Sequence, residues 1–162
     1  MQNFEARNYR IDNVEINWAK LAKPVNPFGT EQWEIQIATT DKAIADQWSE
    51  DHFNVKTDKN DPSKFTVSLK RKAYKADGSS NGPVRVVGKD TQALADPSVI
   101  GNGSIGNVIV YQYPYSTAGR EGIASSLTAV QIVSLNEYTP AVDFEPIVEP
   151  QQSSNQSTEM PF

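Results

Sequence analysis

Basic residues are concentrated in one stretch of the chain. Residues 63–89 hold seven of the 15 lysines and arginines against a single acid, Asp77. The seven are Lys64, Lys70, Arg71, Lys72, Lys75, Arg85 and Lys89. A cationic stripe of this kind can bind a phosphate backbone, because each neutralised phosphate releases condensed counterions. The alternative is a solvated strand face, on which lysines maintain solubility and block edge-to-edge pairing.

Three tyrosines, Tyr111, Tyr113 and Tyr115, recur at every second position. In a β-strand this spacing places all three on one face, opposite Val108 and Val110. Exposed rings could stack on the bases of an unpaired nucleic acid, at about 1–3 kcal/mol per base. Alternatively, the strand is buried on both faces and each hydroxyl has a hydrogen-bond partner. Taken together, the lysines and tyrosines favour single-stranded nucleic acid as the ligand.

Patterns typical of catalysis or metal binding are weak. The chain has no cysteine, which excludes disulfides and thiol chemistry and suits a reducing cytoplasm. His52 is the single histidine, so we expect neither a histidine-based metal site nor a Ser–His nucleophile. Gly101–Gly106 matches a dinucleotide-loop pattern literally, but a β-type run follows where that loop requires a helix. We therefore expect no enzyme activity, no cofactor and no metal ion.

Short strands must position these residues. Hydrophobic alternation predicts five or six strands. They are drawn from residues 11–18, 33–37, 63–74, 83–87, 105–115 and 126–138. In the first of these segments, Val14, Ile16 and Trp18 are expected to share the apolar face.

One short helix completes the set of elements. Asp41 can cap it, and it extends to about Glu50 with Ala43, Ile44, Gln47 and Trp48 on one side. Five or six strands and one helix in roughly 130 residues fit a small closed or half-open barrel. A sandwich is the nearest alternative. No apolar run approaches the ~20 residues that span a bilayer, and no signal peptide is visible, so we expect no membrane association.

Charge and composition change towards the C-terminus. Residues 1–120 carry 15 basic and 14 acidic residues, a net charge of +1, whereas the last 42 residues have six acids and no Lys or Arg. From Pro140 onward, prolines and a Gln/Ser-rich run predict disorder, because so little apolar area cannot offset the ordering entropy. We expect a folded domain, 1–139, and a disordered acidic tail, 140–162. The tail residues expected to bind a partner are Asp143, Glu145, Glu149, Glu159 and the terminal Phe162.

The order and spacing of five segments resemble those of bacteriophage single-stranded-DNA-binding proteins. The segments are Lys70–Tyr74, Gly101–Val108, Val110–Tyr115, Leu127–Ile132 and Met160–Phe162. The resemblance implies an all-β OB-fold barrel of five or six strands with one short helix, followed by an acidic tail ending in phenylalanine. It also implies sequence-independent binding of single-stranded DNA during phage replication and recombination, in the cytoplasm of the infected host.

The resemblance implies that Lys70, Arg71, Lys72 and Tyr74 line the DNA groove with the three tyrosines as stacking candidates, and the basic stretch adds Lys64, Lys75 and Arg85. We expect the DNA-binding residues to be Lys64, Lys70, Arg71, Lys72, Tyr74, Lys75, Arg85, Tyr111, Tyr113 and Tyr115. The tail would contact replication proteins such as a DNA polymerase or a helicase-primase, and would compete with phosphate for the basic face. The alternative is a structural or assembly protein of the virion, with the tyrosine face as a protein–protein interface. Monomer and dimer are both compatible with the sequence.

Overall fold

The structure, a computed structural model, describes residues 4–26 and 29–137. Its strands are β1 (Arg7–Val25), β2 (Gln32–Thr39), β3 (Lys56–Thr57), β4 (Phe65–Lys72), β5 (Arg85–Val87), β6 (Ser104–Thr117) and β7 (Arg120–Ser134). The helix α1 (Lys42–Glu50) lies between β2 and β3, and a short 3-10 helix, Pro97–Val99, precedes β6.

Five of the strands close into a barrel in the order β1-β2-β4-β7-β6 and back to β1. Neighbouring barrel strands are antiparallel except β4 and β7, which meet in parallel where Lys70 lies opposite Ser126. Strand β1 belongs to both sides of the barrel, because its first half pairs with β6 and its second half with β2. This closed five-stranded barrel with one α-helix confirms the predicted OB-fold class.

Two irregular positions allow β1 to bend around the barrel. Asn13 and Trp18 have left-handed backbone conformations, with φ of 55° and 52°. The pairing with β6 shifts register around Asn13, and the pairing with β2 shifts around Trp18. Such bulges bend a strand and increase its twist. The second bulge turns Trp18 outward, so the expectation that it shares the core face with Val14 and Ile16 is wrong.

Aliphatic side chains at alternate strand positions fill the barrel. Val108, Val110, Leu127 and Val130 have no solvent exposure, and full burial of one such side chain contributes about 1.5–3 kcal/mol. Strand β7 begins at Arg120, earlier than the predicted start at residue 126. Hydrophobic alternation misses the added residues because they pair with β6 in a hairpin whose side chains are partly or fully exposed.

Helix α1 begins where the sequence predicts. The Asp41 carboxylate accepts hydrogen bonds from the backbone N–H groups of Ala43, at 2.9 Å, and Ile44, at 3.4 Å. The buried side chains are Ala45 and Trp48, which are one helical turn apart. Ala43, Ile44 and Gln47 are exposed, so the prediction that they share the apolar side of the helix with Trp48 is wrong.

The predicted acidic tail, 140–162, and its junction with the domain at residue 139 lie outside the described residues. So do the tail residues Asp143, Glu145, Glu149, Glu159 and Phe162. Within the described part of the chain, no helix has the length and apolar composition needed to cross a membrane.

Candidate nucleic-acid interface

Strand β6 presents three tyrosines on the outer face of the barrel. Tyr111, Tyr113 and Tyr115 are 42%, 37% and 41% exposed, whereas Val110 and Gln112, which alternate with Tyr111 and Tyr113, are fully buried. The rings of Tyr111 and Tyr113 stack on each other, with centroids 5.7 Å apart and an interplanar angle of 26°. The expected separation of tyrosine face and core face is therefore present at Tyr111 and Tyr113, whereas both faces of the strand are exposed around Tyr115. Each ring of the stacked pair keeps part of its surface open to solvent.

The buried Gln112 fixes the inner side of the same strand. Its amide nitrogen donates to the Asp51 carbonyl oxygen at 2.8 Å and to Ser125 Oγ at 3.2 Å, and its amide oxygen accepts from Arg7 Nε at 3.0 Å. A buried amide with these partners satisfied resists rotation of the strand, since losing them would leave polar groups unpaired in the interior. The hydrogen bonds of Gln112 on the inner side of β6 therefore keep Tyr111 and Tyr113 on the outer side.

Tyr115 lies against the hairpin that joins β6 and β7. The turn residues Ala118 and Gly119 have φ of 52° and 79°, as a two-residue hairpin with the natural strand twist requires. Opposite Tyr115 on β7 is Gly122. A Cβ atom at Gly122 would lie 2.8–3.0 Å from atoms of the Tyr115 phenol ring. The missing side chain therefore leaves room for the ring beside the β6–β7 loop, one of the loops with which OB-folds bind oligonucleotides.

Arg71 is brought together with the stacked tyrosines. Its Nε donates to the Gly82 carbonyl oxygen at 2.8 Å, and one terminal nitrogen donates to the Asn81 carbonyl oxygen. These bonds leave other donors of the guanidinium without a partner in the described part of the chain, since arginine has five N–H groups. Arg71 lines an open depression of about 480 Å³. The other lining residues are Asn8, Asn81, Tyr111, Tyr113, Ser126 and Thr128.

Lys70 and Lys72 extend this surface onto the outer face of β4. Both are exposed and make no ion pair with the described acidic residues. Lys70 lies opposite Ser126 of β7, and Ser126 lies opposite Tyr111 of β6. Two strand spacings therefore separate Lys70 from Tyr111, a distance of roughly 10 Å. Ser126 therefore connects Lys70 to the depression lined by Arg71, Tyr111 and Tyr113, and we call this combined surface the tyrosine–lysine face.

Lys64 lies apart from this face. Its ammonium group is 2.8 Å from a Glu15 carboxylate oxygen in a partly buried ion pair. The hydrogen bond to Glu15 raises the pKa of Lys64. Burial raises the pKa of Glu15, but hydrogen bonds from Lys64 and Asn17 outweigh burial, so the Glu15 pKa lies below its usual value. Lys64 and Lys70 are also roughly 20 Å apart along the strand.

The other expected residues lie around the tyrosine–lysine face. Tyr74 is 54% exposed and pairs through its backbone with Ser80 in the connection between β4 and β5. Lys75 is exposed in the same connection. Arg85 lies on β5 opposite Ala129, and it borders a separate depression with Arg10. The structure thus groups Lys70, Arg71, Tyr111 and Tyr113, places Lys72, Tyr74, Lys75, Arg85 and Tyr115 at the margins, and leaves Lys64 apart.

Trp18 is the residue on this side of the barrel that sequence patterns did not indicate. It is 60% exposed and lines a groove with Lys70 and Ser68 of β4. The rest of the lining is Gln32, Glu34, Ile35 and Gln36 of β2 and Leu69 of β4. The alternation of Val14, Ile16 and Trp18 predicts a buried side chain at position 18. The only sequence signal for a surface groove here was the polar residues at alternate positions of β2.

No family model and no curated protein matches the chain. Solved structures of similar fold exist. The single-stranded DNA binding protein gp2.5 of bacteriophage T7 superimposes with a TM-score of 0.60 at 17% identity, over 85% of this chain and 92% of its own. The single-stranded DNA-binding protein of bacteriophage Enc34, in complex with ssDNA, gives 0.57 at 13% identity, over 80% and 88%. A second structure of the Enc34 protein gives 0.56 at 14% identity, over 85% and 87%.

These similarities extend over most of each chain, so the structures share one fold. The predicted resemblance in fold to bacteriophage single-stranded-DNA-binding proteins is confirmed.

Proposed function

We propose that this protein binds single-stranded DNA without sequence preference and without catalysing a reaction. The observation that carries the proposal is the tyrosine–lysine face, where the exposed, stacked rings of Tyr111 and Tyr113 share a depression with Arg71. Aromatic rings beside lysine and arginine side chains suit single-stranded DNA, because the bases can stack on the rings while the cations neutralise the phosphates. Three exposed rings on one strand would otherwise be an unfavourable apolar patch.

The geometry supports a division of roles. Tyr111 and Tyr113 would contact bases through their ring faces, and Lys70, Arg71 and Lys72 would contact phosphates. Stacking tolerates every base, since all four have a π face. Duplex DNA would bind more weakly, because its bases are already stacked on one another and cannot reach the rings. The main driving force would be counterion release.

The structures of similar fold are single-stranded-DNA-binding proteins of bacteriophages, and by analogy we place this protein in phage DNA replication and recombination. There the protein would coat exposed strands and prevent reannealing and nuclease attack, in the cytoplasm of the infected host. The tail, 140–162, would recruit a replication protein such as a polymerase or a helicase-primase. As a tethered anion, it would also compete with DNA for the tyrosine–lysine face at high effective concentration.

The test is a titration of labelled oligo-dT and of a duplex of the same length, with the full chain and with a variant lacking 140–162. We expect micromolar or tighter binding of oligo-dT, weaker binding of duplex, and tighter binding by the truncated variant. Failure of both proteins to bind oligo-dT would reject the proposed function. Self-association that depends on Tyr111 and Tyr113, without DNA binding, would instead support the role of a virion assembly protein.

A further inference from the structure

Trp18 differs from the other tryptophans of the chain. Trp33 and Trp48 are 9% and 3% exposed and belong to the core, whereas Trp18 is 60% exposed. A tryptophan buries one of the largest apolar surfaces of any side chain. Leaving it in solvent forgoes that stabilisation, which suggests that the indole has a ligand.

The outward position of Trp18 is fixed by the turn at 101–103. The Trp18 backbone N–H donates to Asn102 Oδ1 at 2.7 Å. The Gly103 N–H donates to the Asn17 side-chain oxygen at 2.8 Å and also contacts the Ile16 carbonyl oxygen at 3.1 Å. The carbonyl of Asn102 is itself held by the Asn136 side chain. These bonds support the left-handed backbone at Trp18, which non-glycine residues adopt rarely.

The groove beside Trp18 continues into the tyrosine–lysine face. Lys70 lines the groove together with Trp18, and the same Lys70 lies opposite Ser126, which borders the depression of Tyr111 and Tyr113. Glu34 lies opposite both Lys70 and Lys20. One row of outward-facing positions therefore follows the barrel wall over four strand spacings, from Tyr111 on β6 to Lys20 on the second half of β1, which is roughly 20 Å measured around the wall.

We propose that Trp18 is a second base-stacking position, at the far end of a path that a single strand follows across β7, β4 and β2. The proposal rests on the proposed function and extends the DNA-binding surface from the tyrosine pair on β6 to Trp18 on β1. Lys70 lies midway and can neutralise the phosphates that join the two stacking positions. Glu34 accepts a hydrogen bond from Gln32 at 2.9 Å. Its negative charge repels phosphates, so the DNA backbone would pass on the side of Lys70.

Tryptophan fluorescence tests the proposal directly. Because Trp33 and Trp48 are buried, a ligand stacking on the surface should quench Trp18 alone. A dT oligonucleotide of about 16 residues, the upper end of OB-fold site sizes, should quench the emission of the full chain at saturation. The Trp18→Phe variant should bind the same oligonucleotide within about threefold of wild type and show no quenching.

Affinity measurements with labelled oligonucleotide complete the test. Trp18→Ala should weaken binding by about 5- to 150-fold, the loss of one stacked base. The matched control is Ile44→Ala, which removes an exposed side chain of helix α1 away from the groove and should leave affinity unchanged. If labelled dT binds while wild-type emission stays constant and Trp18→Ala binds normally, the Trp18 position is refuted and the proposed function stands. If labelled dT does not bind at all, the proposed function fails.

Discussion

Replacing Tyr113 by leucine separates the stacking role of the ring from its role in the fold. Tyr113 is 37% exposed and one side of its ring contacts Tyr111. At most one ring face is therefore available to a base. One stacked base contributes about 1–3 kcal/mol, and for a partly covered ring we expect the lower part of this range. Tyr113→Leu should weaken oligo-dT binding by about 5- to 30-fold, which corresponds to about 1–2 kcal/mol.

Leucine is chosen because it preserves most of the apolar contact with the barrel. The free energy of unfolding should fall by no more than about 1.5 kcal/mol, the upper value for an aromatic pair. Anisotropy of labelled dT at fixed salt gives the affinity, and urea unfolding gives the stability. Tyr113→Phe is the matched control and should bind within about twofold of wild type, since it keeps the ring face.

The double variant Tyr111→Leu/Tyr113→Leu adds a test of coupling. Because the two rings orient each other, the combined loss in binding should be smaller than the sum of the single losses, by about 0.5–1.5 kcal/mol. A folded Tyr113→Leu protein that binds dT as tightly as wild type would refute the stacking assignment for this ring.

Three further variants test the β6–β7 hairpin, the packing of β6 against β7, and the Glu15–Lys64 ion pair. Gly122→Ala should weaken dT binding several-fold with little loss of stability, because its Cβ would lie 2.8 Å from the Tyr115 hydroxyl; normal anisotropy titrations would show that the position of this ring does not matter. Gly106→Ala should lower the unfolding free energy by about 2 kcal/mol or more, because its Cβ would lie 2.5 Å from a carbonyl oxygen of β7; an unchanged urea midpoint would contradict this packing. The pKa of Glu15 in the folded protein lies below its ordinary value of 4.5. The ionised carboxylate therefore stabilises the fold fully at pH values above 4.5, and this stabilisation is lost as the pH falls through the lower, folded-state pKa. Wild type should therefore lose more stability on acidification than Glu15→Gln, and parallel pH profiles of the urea midpoint would argue against the ion pair with Lys64.

Period-two patterns predicted the parts of the fold that depend on local alternation. The separation of Tyr111 and Tyr113 from Val110 follows from the geometry of any strand, and it is present in the structure. The N-cap at Asp41 also follows from local chemistry, because a carboxylate can satisfy the free N–H groups of the first turn.

Other features depend on contacts between distant segments. Trp18 faces solvent because a bulge interrupts the alternation of β1, and the bulge is held by Asn102, 84 positions along the chain. Lys64 has the same sequence signature as Lys70, yet its partner Glu15 comes from a different strand. Arg71 reaches the tyrosines only because the barrel closes between β4 and β7. None of these pairings is encoded in the spacing of neighbouring residues.

The salt dependence of dT affinity reports how many phosphates the tyrosine–lysine face neutralises. Five cations on and around the tyrosine–lysine face, Lys70, Arg71, Lys72, Lys75 and Arg85, make no ion pair within the described residues. If three to five of them contact phosphates, log K should fall against log salt with a slope of about −2 to −3.5. Lys70→Gln should reduce the magnitude of the slope by about 0.7, whereas Lys64→Gln should leave it unchanged, because Lys64 is already paired with Glu15. A slope near zero, or equal effects of the two variants, would contradict the account.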